Sequence, residues 1–465
     1  MHRRQFILQS SMAAAGLALS GYGRAQSNVF PTVRTPVGKR NFTSKAVEEL
    51  IAEIKNKIGN KEIAWMFENC FPNTLDTTVD YEVISNKQDT YVITGDIDAM
   101  WLRDSTAQVW PYLALCKKDV GLQKLVAGVI NRQVKCILLD PYANAFYKDV
   151  NKVSEWKNDI TQMKPGIHER KWEIDSLCYP VRLSYGYIKA TGDTSILDDD
   201  WIQAMQLVVK TFREQQRFDG PGPYSFMRQS QWANDVVPMA GYGNPGKPNG
   251  LIVSVFRPSD DATIFPYLIP SNFFAVKALR DMADMMERQL RLEPLKLAEE
   301  VEKALQQHAI IQQGKRKIYA YEVNGYGSFN LMDDANIPSL LSLPYLGCVP
   351  LNDPIYQQTR KYVLSNQNPH FYKGPAGEGI GGPHIGQDYI WPLSIIMRGL
   401  TSTNDAEIKL CLNMLQKSHA GTGFMHEAFH KDDAAKFTRS WFAWANTLFG
   451  EFVWKVYRER PSLLN

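Results

Sequence analysis

Apolar side chains recur at intervals of three and four residues along most of the chain outside its loops. Residues 45–58 show this spacing clearly, which predicts an amphipathic helix. The apolar positions there are Val47, Leu50, Ile51, Ile54 and Ile58. Residues 273–292 carry long side chains at similar spacing and predict another helix. Strand-like alternation is rare, with residues 89–94 as its clearest instance, so the pattern predicts a mainly α fold.

A degenerate repeat accompanies these helical stretches. In each copy an acidic residue is followed within a few positions by an aromatic or apolar residue and then by proline. The copies are residues 104–111, 175–180, 261–266, 334–338 and 388–392, with a sixth, lacking proline, at 439–446. An aspartate ahead of a first turn with proline is a good helix cap. Five or six helical hairpins of this kind predict an (α/α)6 barrel, formed by one domain over residues 26–465, whose loops meet over one cavity.

Charge and hydropathy narrow the possible partners. The 465 residues carry a formal net charge of only +3, and no basic stripe is present, which argues against a nucleic-acid partner. After the N-terminal segment no stretch approaches the roughly 18 apolar residues of a membrane helix, so no membrane insertion is expected. The oligomeric state is left open.

The first 25 residues have the features of an export signal. Arg3 and Arg4 precede the apolar triplet 6–8, which is typical of a twin-arginine signal, and a short apolar stretch follows at 12–19. Gly23 and Ala25 are small residues at the two positions that a signal peptidase recognises. We therefore expect a periplasmic or secreted protein. Because such proteins fold in a reducing compartment before export, the six scattered cysteines are expected to be free thiols.

Five loops combine carboxylates with aromatic and cationic side chains: 95–104, 171–175, 256–261, 384–391 and 423–430. Hydrolysis of a glycoside uses such groups, since one carboxylic acid protonates the leaving oxygen and a second carboxylate activates water or attacks the anomeric carbon. Carboxylates and arginine also bind hydroxyl groups, and tryptophan stacks on sugar rings. Glycine-rich segments at 221–223, 240–250 and 374–382 are too irregular for phosphate-binding motifs and are expected to form closed surface loops that shape the rim of the pocket.

A competing motif is present in residues 426–430. His426, Glu427 and His430 match H-E-x-x-H, in which two histidines on one helical face bind zinc and the glutamate acts as base. Gly421 and Gly423 lie just upstream, where a zinc peptidase needs helix, and nothing marks a third ligand. The motif therefore predicts a zinc peptidase only as an alternative.

At these loops the chain resembles glycoside hydrolase family 125, the exo-α-1,6-mannosidases. The resemblance rests on GDIDAMWLRDS (95–105), FRPSDDA (256–262), IPSNFFAV (269–276), GGPHIGQDYIWP (381–392) and GFMHEAF (423–429). It implies an (α/α)6 barrel that hydrolyses terminal α-1,6-linked mannose with inversion, without a metal or another cofactor.

The resemblance also implies roles for individual residues. The general acid would be Asp260 or Asp261, and the general base would be Glu427. Asp261 is in the capping register of the repeat, which would leave Asp260 free to face the cavity, but both aspartates stay candidates at this point. The expected sugar-binding residues are Asp96, Asp98, Trp101, Arg103, Asp104, Trp172, Glu173, Asp175, Arg257, His384, Gln387, Asp388, Trp391 and His426. A related alternative keeps the barrel but acts on another α-linked sugar, and a further one is a glycan-binding protein without catalysis.

Overall fold

Thirteen α-helices carry most of the chain in this computed structural model, which describes residues 30–465. They are α1 (Lys45–Lys57), α2 (Lys61–Cys70), α3 (Asn73–Thr77), α4 (Leu102–Val109), α5 (Val120–Leu139), α6 (Ile174–Thr191), α7 (Asp199–Gln215), α8 (Ile269–Met285), α9 (Leu292–His308), α10 (Pro354–Val363), α11 (Pro392–Leu400), α12 (Asp405–Ser418) and α13 (Ala443–Glu459). The predicted export signal at 1–25 lies outside the described residues.

Helix α1 confirms the helix predicted over residues 45–58. Its N-cap is Ser44, whose side chain accepts a hydrogen bond from the backbone N–H of Val47 at 3.3 Å. The helix predicted at 273–292 is wrong in its extent. Helix α8 ends at Met285, where the backbone of Met286 becomes extended, and α9 begins at Leu292 and packs against α8.

The strands are short and form six small sheets of two or three strands each within the described residues. They are β1 (Val79–Ile84), β2 (Lys87–Val92), β3 (Met100–Trp101), β4 (Ala145–Phe146), β5 (Ile167–Glu169), β6 (Tyr267–Leu268), β7 (Ile310–Gln313), β8 (Arg316–Tyr319), β9 (Glu322–Val323), β10 (Phe329–Asn330), β11 (Phe371–Gly374), β12 (Gly377–Ile380), β13 (Tyr389–Ile390), β14 (Ala428–His430) and β15 (Asp433–Thr438). Strand β2 contains most of the strand predicted at 89–94. The segment 374–382 contains the turn of the β11–β12 hairpin and strand β12.

The inner helices form a closed ring. Helix α4 packs against α6, α6 against α8, α11 against α13, and α13 against α4. Between α8 and α11 the irregular segment 331–347 takes the place of an inner helix: Tyr179 of α6 donates a hydrogen bond to its Ile337 carbonyl, and its Tyr345 donates one to Glu451 of α13. Helices α5, α9 and α12 pack outside this ring against α6, α8 and α11. The fold is the predicted (α/α)6 barrel.

The repeat marks the six inner positions of the ring, but helix capping is the wrong explanation for it. Asp104 and Asp175 lie inside the first turns of α4 and α6, where their charge favours the positive end of the helix dipole. Asp261 lies eight residues before α8, and Asp334 precedes the irregular segment. What the copies share is a loop at one end of the barrel.

The described residues contain no helix that is both long and apolar enough to cross a membrane. Cys70, Cys116, Cys136, Cys178, Cys348 and Cys411 are free thiols in the described chain, and all but Cys348 are buried.

Candidate active site

Three of the small sheets fix the loops at one end of the barrel. Strands β3, β4 and β5 join residues 100–101 to 145–146 and 167–169, so that the loops before α4 and α6 lie side by side. Strands β13, β14 and β15 pair the loop before α11 with residues 428–430 and 433–438. Segments that are far apart in sequence thereby present their polar side chains to one region.

The guanidinium group of Arg103 is the centre of this region. Its Nη1 lies 2.6 Å from Glu173 Oε2 and 3.1 Å from Asp175 Oδ2, and its Nη2 lies 3.3 Å from Asp260 Oδ1. The Nε atom is 3.6 Å from Asp104 Oδ2. Four carboxyl groups therefore surround one cation, and all of them except Asp260 are buried.

Burial and crowding shift the pKa values of these carboxyl groups. Burial raises the pKa of Asp104 to about 6, although Arg103 opposes the shift. Burial likewise raises the pKa of Asp175, and it raises that of Glu173 well above its ordinary value. For Asp260, burial and the charge of Glu169 act upwards, but the nearby cations Lys171 and Arg103 lower its pKa overall.

The loop that carries Asp260 and Asp261 is a tight turn. The backbone N–H of Asp260 donates to the Arg257 carbonyl at 2.9 Å, and that of Arg257 donates to the Asp261 carbonyl at 2.8 Å. Asp260 has φ +66°, a left-handed conformation that disfavours side chains other than glycine. Lys171, which is completely buried, donates from Nζ to the Asp260 carbonyl at 2.8 Å and holds this conformation.

The two aspartates have different surroundings. The Asp260 side chain is 17% exposed, whereas that of Asp261 is 1% exposed. Asp261 Oδ1 accepts a hydrogen bond from Asn234 Nδ2 at 2.6 Å and lies 3.1 Å from His384 Nδ1. Asp261 is thus a buried anchor for the loop, while Asp260 is partly exposed beside Arg103.

Glu427 lies on the opposite side of the ring, ahead of β14. The Thr438 hydroxyl donates to Glu427 Oε2 at 2.9 Å, and Arg439 Nη1 is 3.5 Å from Oε1. Arg439 also forms an ion pair with Asp96 and donates to the Thr94 carbonyl at 3.1 Å. Asp96 therefore helps to fix the position of Arg439, and Arg439 in turn orients the carboxylate of Glu427.

A chain of ring contacts connects the two sides. The rings of His384 and Trp391 have centroids 6.2 Å apart, as do those of Trp391 and Phe442. The guanidinium of Arg439 is 4.9 Å from the centre of the Phe442 ring. Since His384 contacts Asp261 and Arg439 contacts Glu427, the loops of the predicted catalytic residues belong to one connected site.

Other predicted site residues have mainly structural contacts. Trp172 is a core residue, 1% exposed, whose Nε1 donates to the Val253 carbonyl at 2.7 Å. Arg257 forms a buried ion pair with Glu322 at 2.7 Å, which fixes the acidic loop. Trp101 is buried and contacts the edge of the His168 ring.

Three more predicted residues lie at the surface, and His426 is buried. Asp98 is 75% exposed and pairs with Lys152, and Asp388 is 46% exposed near Lys431. Gln387 is also exposed. His426 stacks on Phe437 with centroids 3.8 Å apart, and burial lowers its pKa to about 4.

The zinc-peptidase alternative is wrong. His426 and Glu427 precede a strand that includes His430, and no helix contains the motif. At a rise of about 3.3 Å per residue, a strand separates residues four positions apart too widely to share a metal ion. No group of three His, Cys, Asp or Glu side chains suited to holding a metal exists among residues 30–465.

The sequence reasoning missed Asn144, Lys171, Asn234 and Arg439. Lys171 begins the acidic loop 171–175, and Arg439 begins the last copy of the repeat, 439–446. A search for cationic side chains within these segments would have identified both residues. Asn144, whose Nδ2 lies 3.3 Å from Glu169 Oε2 and 3.4 Å from Asp260 Oδ1, belongs to no motif. Asn234 is likewise outside the motifs, and only the fold brings it to Asp261.

Residues 60–454 match a family model described as metal-independent α-mannosidase (GH125). The chain belongs to glycoside hydrolase family 125. The resemblance noted in the sequence is confirmed, and the protein is a glycoside hydrolase of an α-mannosidase family.

Two relatives cover most of this family 125 chain. The meiotically up-regulated gene 157 protein of Schizosaccharomyces pombe is 40% identical over 93% of this chain and 90% of its own length. A Streptococcus pneumoniae structure, described as a metal-independent α-mannosidase in a non-productive complex with α-1,6-mannobiose, is 39% identical. It covers 90% of this chain and 100% of its own, with a TM-score of 0.86.

More distant structures share the fold alone. A bacterial glucoamylase complexed with acarbose is 12% identical and has a TM-score of 0.50 over 89% of this chain and 58% of its own. A glycosidase in complex with glucose is 11% identical, with a TM-score of 0.51 over 90% of this chain and 99% of its own. These likenesses support the helical barrel and nothing about the substrate.

The raised pKa of Asp104 predicts a pH-dependent effect on stability. Since the folded pKa, about 6, exceeds the unfolded value of about 3.9, the folded protein binds this proton more tightly. The contribution of this bound proton to the free energy of unfolding is fully present below about pH 4 and is lost as the pH rises through about 6. Asp104→Asn, which resembles the protonated form, should therefore gain about 2–3 kcal/mol relative to wild type between about pH 4 and pH 7.5. Denaturant melts of both proteins at both pH values measure this difference, and an equal effect at the two pH values would contradict it.

Proposed function

We propose that the protein releases non-reducing terminal α-1,6-linked mannose with inversion of the anomeric carbon, using Asp260 as general acid and Glu427 as general base. The substrate is inferred from the pneumococcal family member, whose complex contains α-1,6-mannobiose and which aligns with this chain over its full length. The observation that carries the roles is the placement of two carboxyl groups, one partly exposed beside Arg103 and the other held by Arg439, on opposite sides of one connected site.

Asp260 suits the acid role better than Asp261. Asp261 is buried and both Asn234 and His384 contact its Oδ1, so it has little freedom to meet a substrate. Asp260 is partly exposed, and its strained backbone is fixed by Lys171. Strain of this kind is common where a side chain must be presented to a ligand.

Glu427 suits the base role because two donors, Thr438 and Arg439, orient its carboxylate. In the proposed reaction Glu427 accepts a proton from a water molecule whose oxygen attacks the anomeric carbon. On the other face of the sugar Asp260 gives a proton to the glycosidic oxygen as its bond to that carbon breaks. Attack from the face opposite the α-linked leaving group gives β-mannose.

The burial of the polar groups beside Asp260 supports the exo mode. Arg103, Glu173 and Asp175 are buried beneath Asp260, with side chains at most 4% exposed. We infer that this polar floor binds the hydroxyl groups of a single terminal sugar, with Trp391 and Phe442 forming part of the wall. Asp96 and Asp104 contribute through their contacts with Arg439 and Arg103.

The acid and the base can be separated with two substrates. On α-1,6-mannobiose, both Asp260→Asn and Glu427→Gln should lower kcat by about 10²–10⁴-fold, because each removes one proton-transfer group. On α-mannosyl fluoride, whose leaving group needs no protonation, Asp260→Asn should retain much of its activity while Glu427→Gln stays inactive. Initial rates of the two variants and the wild type on both substrates measure this pattern.

The matched control for the acid is Asp261→Asn, which removes a neighbouring carboxylate. If Asp261→Asn rather than Asp260→Asn shows the selective loss on mannobiose, the two aspartates have been assigned in the wrong order. Isomaltose, the α-1,6-linked glucose disaccharide, controls for the sugar: its hydrolysis at a rate equal to that of mannobiose contradicts the mannose assignment.

We also propose that residues 1–25 direct export through the twin-arginine pathway. The paired arginines and the apolar stretch at 12–19 support this proposal. Replacing both Arg3 and Arg4 by lysine keeps the charge but removes the arginine pair, and should leave the protein in the cytoplasm of a bacterial host with that pathway. Fractionation followed by immunoblotting measures the effect, and undiminished export of the double variant would refute the proposal.

A further inference from the structure

The carboxyl groups around Arg103 outnumber the cations that face them. Glu173, Asp175, Asp260 and Asp104 lie within 3.6 Å of this single guanidinium. Isolated ionised carboxylates are costly to bury, and like charges at short range disfavour ionisation of all of them. One positive charge cannot compensate four negative ones in this setting.

The neighbouring elements do not supply the missing positive charge. Lys171 reaches the Asp260 carbonyl, yet it also faces Glu169 at 3.4 Å and Asp235 at 3.0 Å. Arg439, whose charge acts on Asp104, pairs with Asp96 and Glu427. Arg228, beyond Lys171, pairs with Asp159 and Glu169. Every nearby cation thus has carboxylate partners of its own, which favours a protonated carboxyl group within the cluster.

Glu173 is the group best placed to hold that proton. Its side chain is completely buried. Oε2 already accepts hydrogen bonds from Arg103 at 2.6 Å and from the Ser176 hydroxyl at 2.8 Å. Oε1 accepts none from the described residues, so a proton on this oxygen disturbs no existing bond. Asp175 Oδ1 is likewise without a partner within residues 30–465, but it is Glu173 whose side chain is within hydrogen-bond reach of the Asp260 carboxyl group. Asp260, by contrast, lies between Arg103 and Lys171, which favour its charged form.

We propose that Glu173 stores the proton that Asp260 delivers to the leaving group. The inference rests on the proposed role of Asp260 as acid. In the free enzyme Glu173 is protonated and Asp260 is a carboxylate. When a glycosidic oxygen occupies the site, the proton passes to Asp260 and then to that oxygen, while the bond to the anomeric carbon breaks and its electron pair stays on the oxygen. The proton that Glu427 takes from water returns to solvent, and the cluster regains one from solvent.

Glu173 in this account is a positioning residue, since it acts through Asp260. The two groups titrate as a pair, which agrees with the upward shift of the Glu173 pKa and the downward shift of the Asp260 pKa. The stored proton resolves a conflict within the site: a general acid must be protonated, yet the cations beside Asp260 favour its anion.

Glu173→Gln tests the proposal because it keeps the shape and a hydrogen-bond acceptor but cannot release a proton as an acid. Asp260 alone would then have to bind the proton, at a lower pKa. We expect the alkaline limb of the pH profile of kcat/KM for α-1,6-mannobiose to move to lower pH. At pH 7 the kcat/KM of the variant should be at least about tenfold below that of the wild type, and the difference should disappear at acidic pH. Turnover of α-mannosyl fluoride should change far less.

Two further measurements do not depend on the activity of that variant. The infrared difference spectrum of wild type minus Glu173→Gln at pH 7 should contain the carbonyl band of a buried protonated carboxyl group. The corresponding band of Asp333, whose pKa burial raises to about 8, is common to both proteins and cancels. Ser176→Ala removes a donor that favours the charged form of Glu173, so it should move the alkaline limb to higher pH.

An equal loss at every pH and on both substrates would show that Glu173 serves structure alone and would overturn the proposal. A difference spectrum that lacks this carboxyl band would also overturn it. If the wild type does not hydrolyse α-1,6-mannobiose, the proposed function itself fails, whatever the Glu173 variant does. If Asp260→Asn and Glu427→Gln both leave this hydrolysis intact, the roles assigned to these two residues fail.

Discussion

The contact of one buried guanidinium with carboxylates from separate parts of the chain organises the site. Arg103 belongs to the first turn of α4, Glu173 and Asp175 to the start of α6, and Asp260 to the loop before α8. Bringing these acids together out of water costs free energy that a single ion pair does not recover. The barrel supplies the compensation elsewhere, through the apolar contacts of its helices.

Backbone strain occurs in the same loops. Asp260, Asp388 and Arg439 have φ values of +66°, +67° and +46°, which are unfavourable for residues other than glycine. Each of them lies in a loop at the active end of the barrel. Lys171 fixes the first by a hydrogen bond to its carbonyl, and the ion pairs of Arg439 with Asp96 and Glu427 fix the third. The charges of the site therefore hold backbone conformations as well as providing chemistry.

The fold class and the identity of the family were accessible from sequence, but the detailed arrangement of the site was not. Helical periodicity predicted α1, and the repeat located the six inner positions because each copy is a loop at the same end of the ring. The break between α8 and α9 was missed because the apolar spacing continues across the turn. The role of Asp261 as a buried anchor depends on Asn234 and His384, which reach it only through tertiary structure. Trp172 was overinterpreted, since a tryptophan in an acidic loop has the same local signature whether it faces a sugar or the core.

The H-E-x-x-H motif shows why local pattern alone is insufficient. Its two histidines require a helix to meet, and the pairing of β13 with β14 imposes a strand instead. The glutamate of the same motif, Glu427, is the general base that the resemblance to family 125 implies, and its carboxylate contacts Arg439 in the connected site. The family motifs in several loops therefore predicted the protein family correctly, whereas the single match to H-E-x-x-H predicted the wrong one.

The central claim is that two carboxyl groups on opposite sides of the site hydrolyse an α-mannoside by a single displacement. Proton NMR of residues 26–465 acting on α-1,6-mannobiose tests it most directly, because the anomeric proton of the first product is read before mutarotation. The account predicts that β-mannose forms first. Initial formation of α-mannose would require a retaining mechanism and would contradict the roles assigned to Asp260 and Glu427.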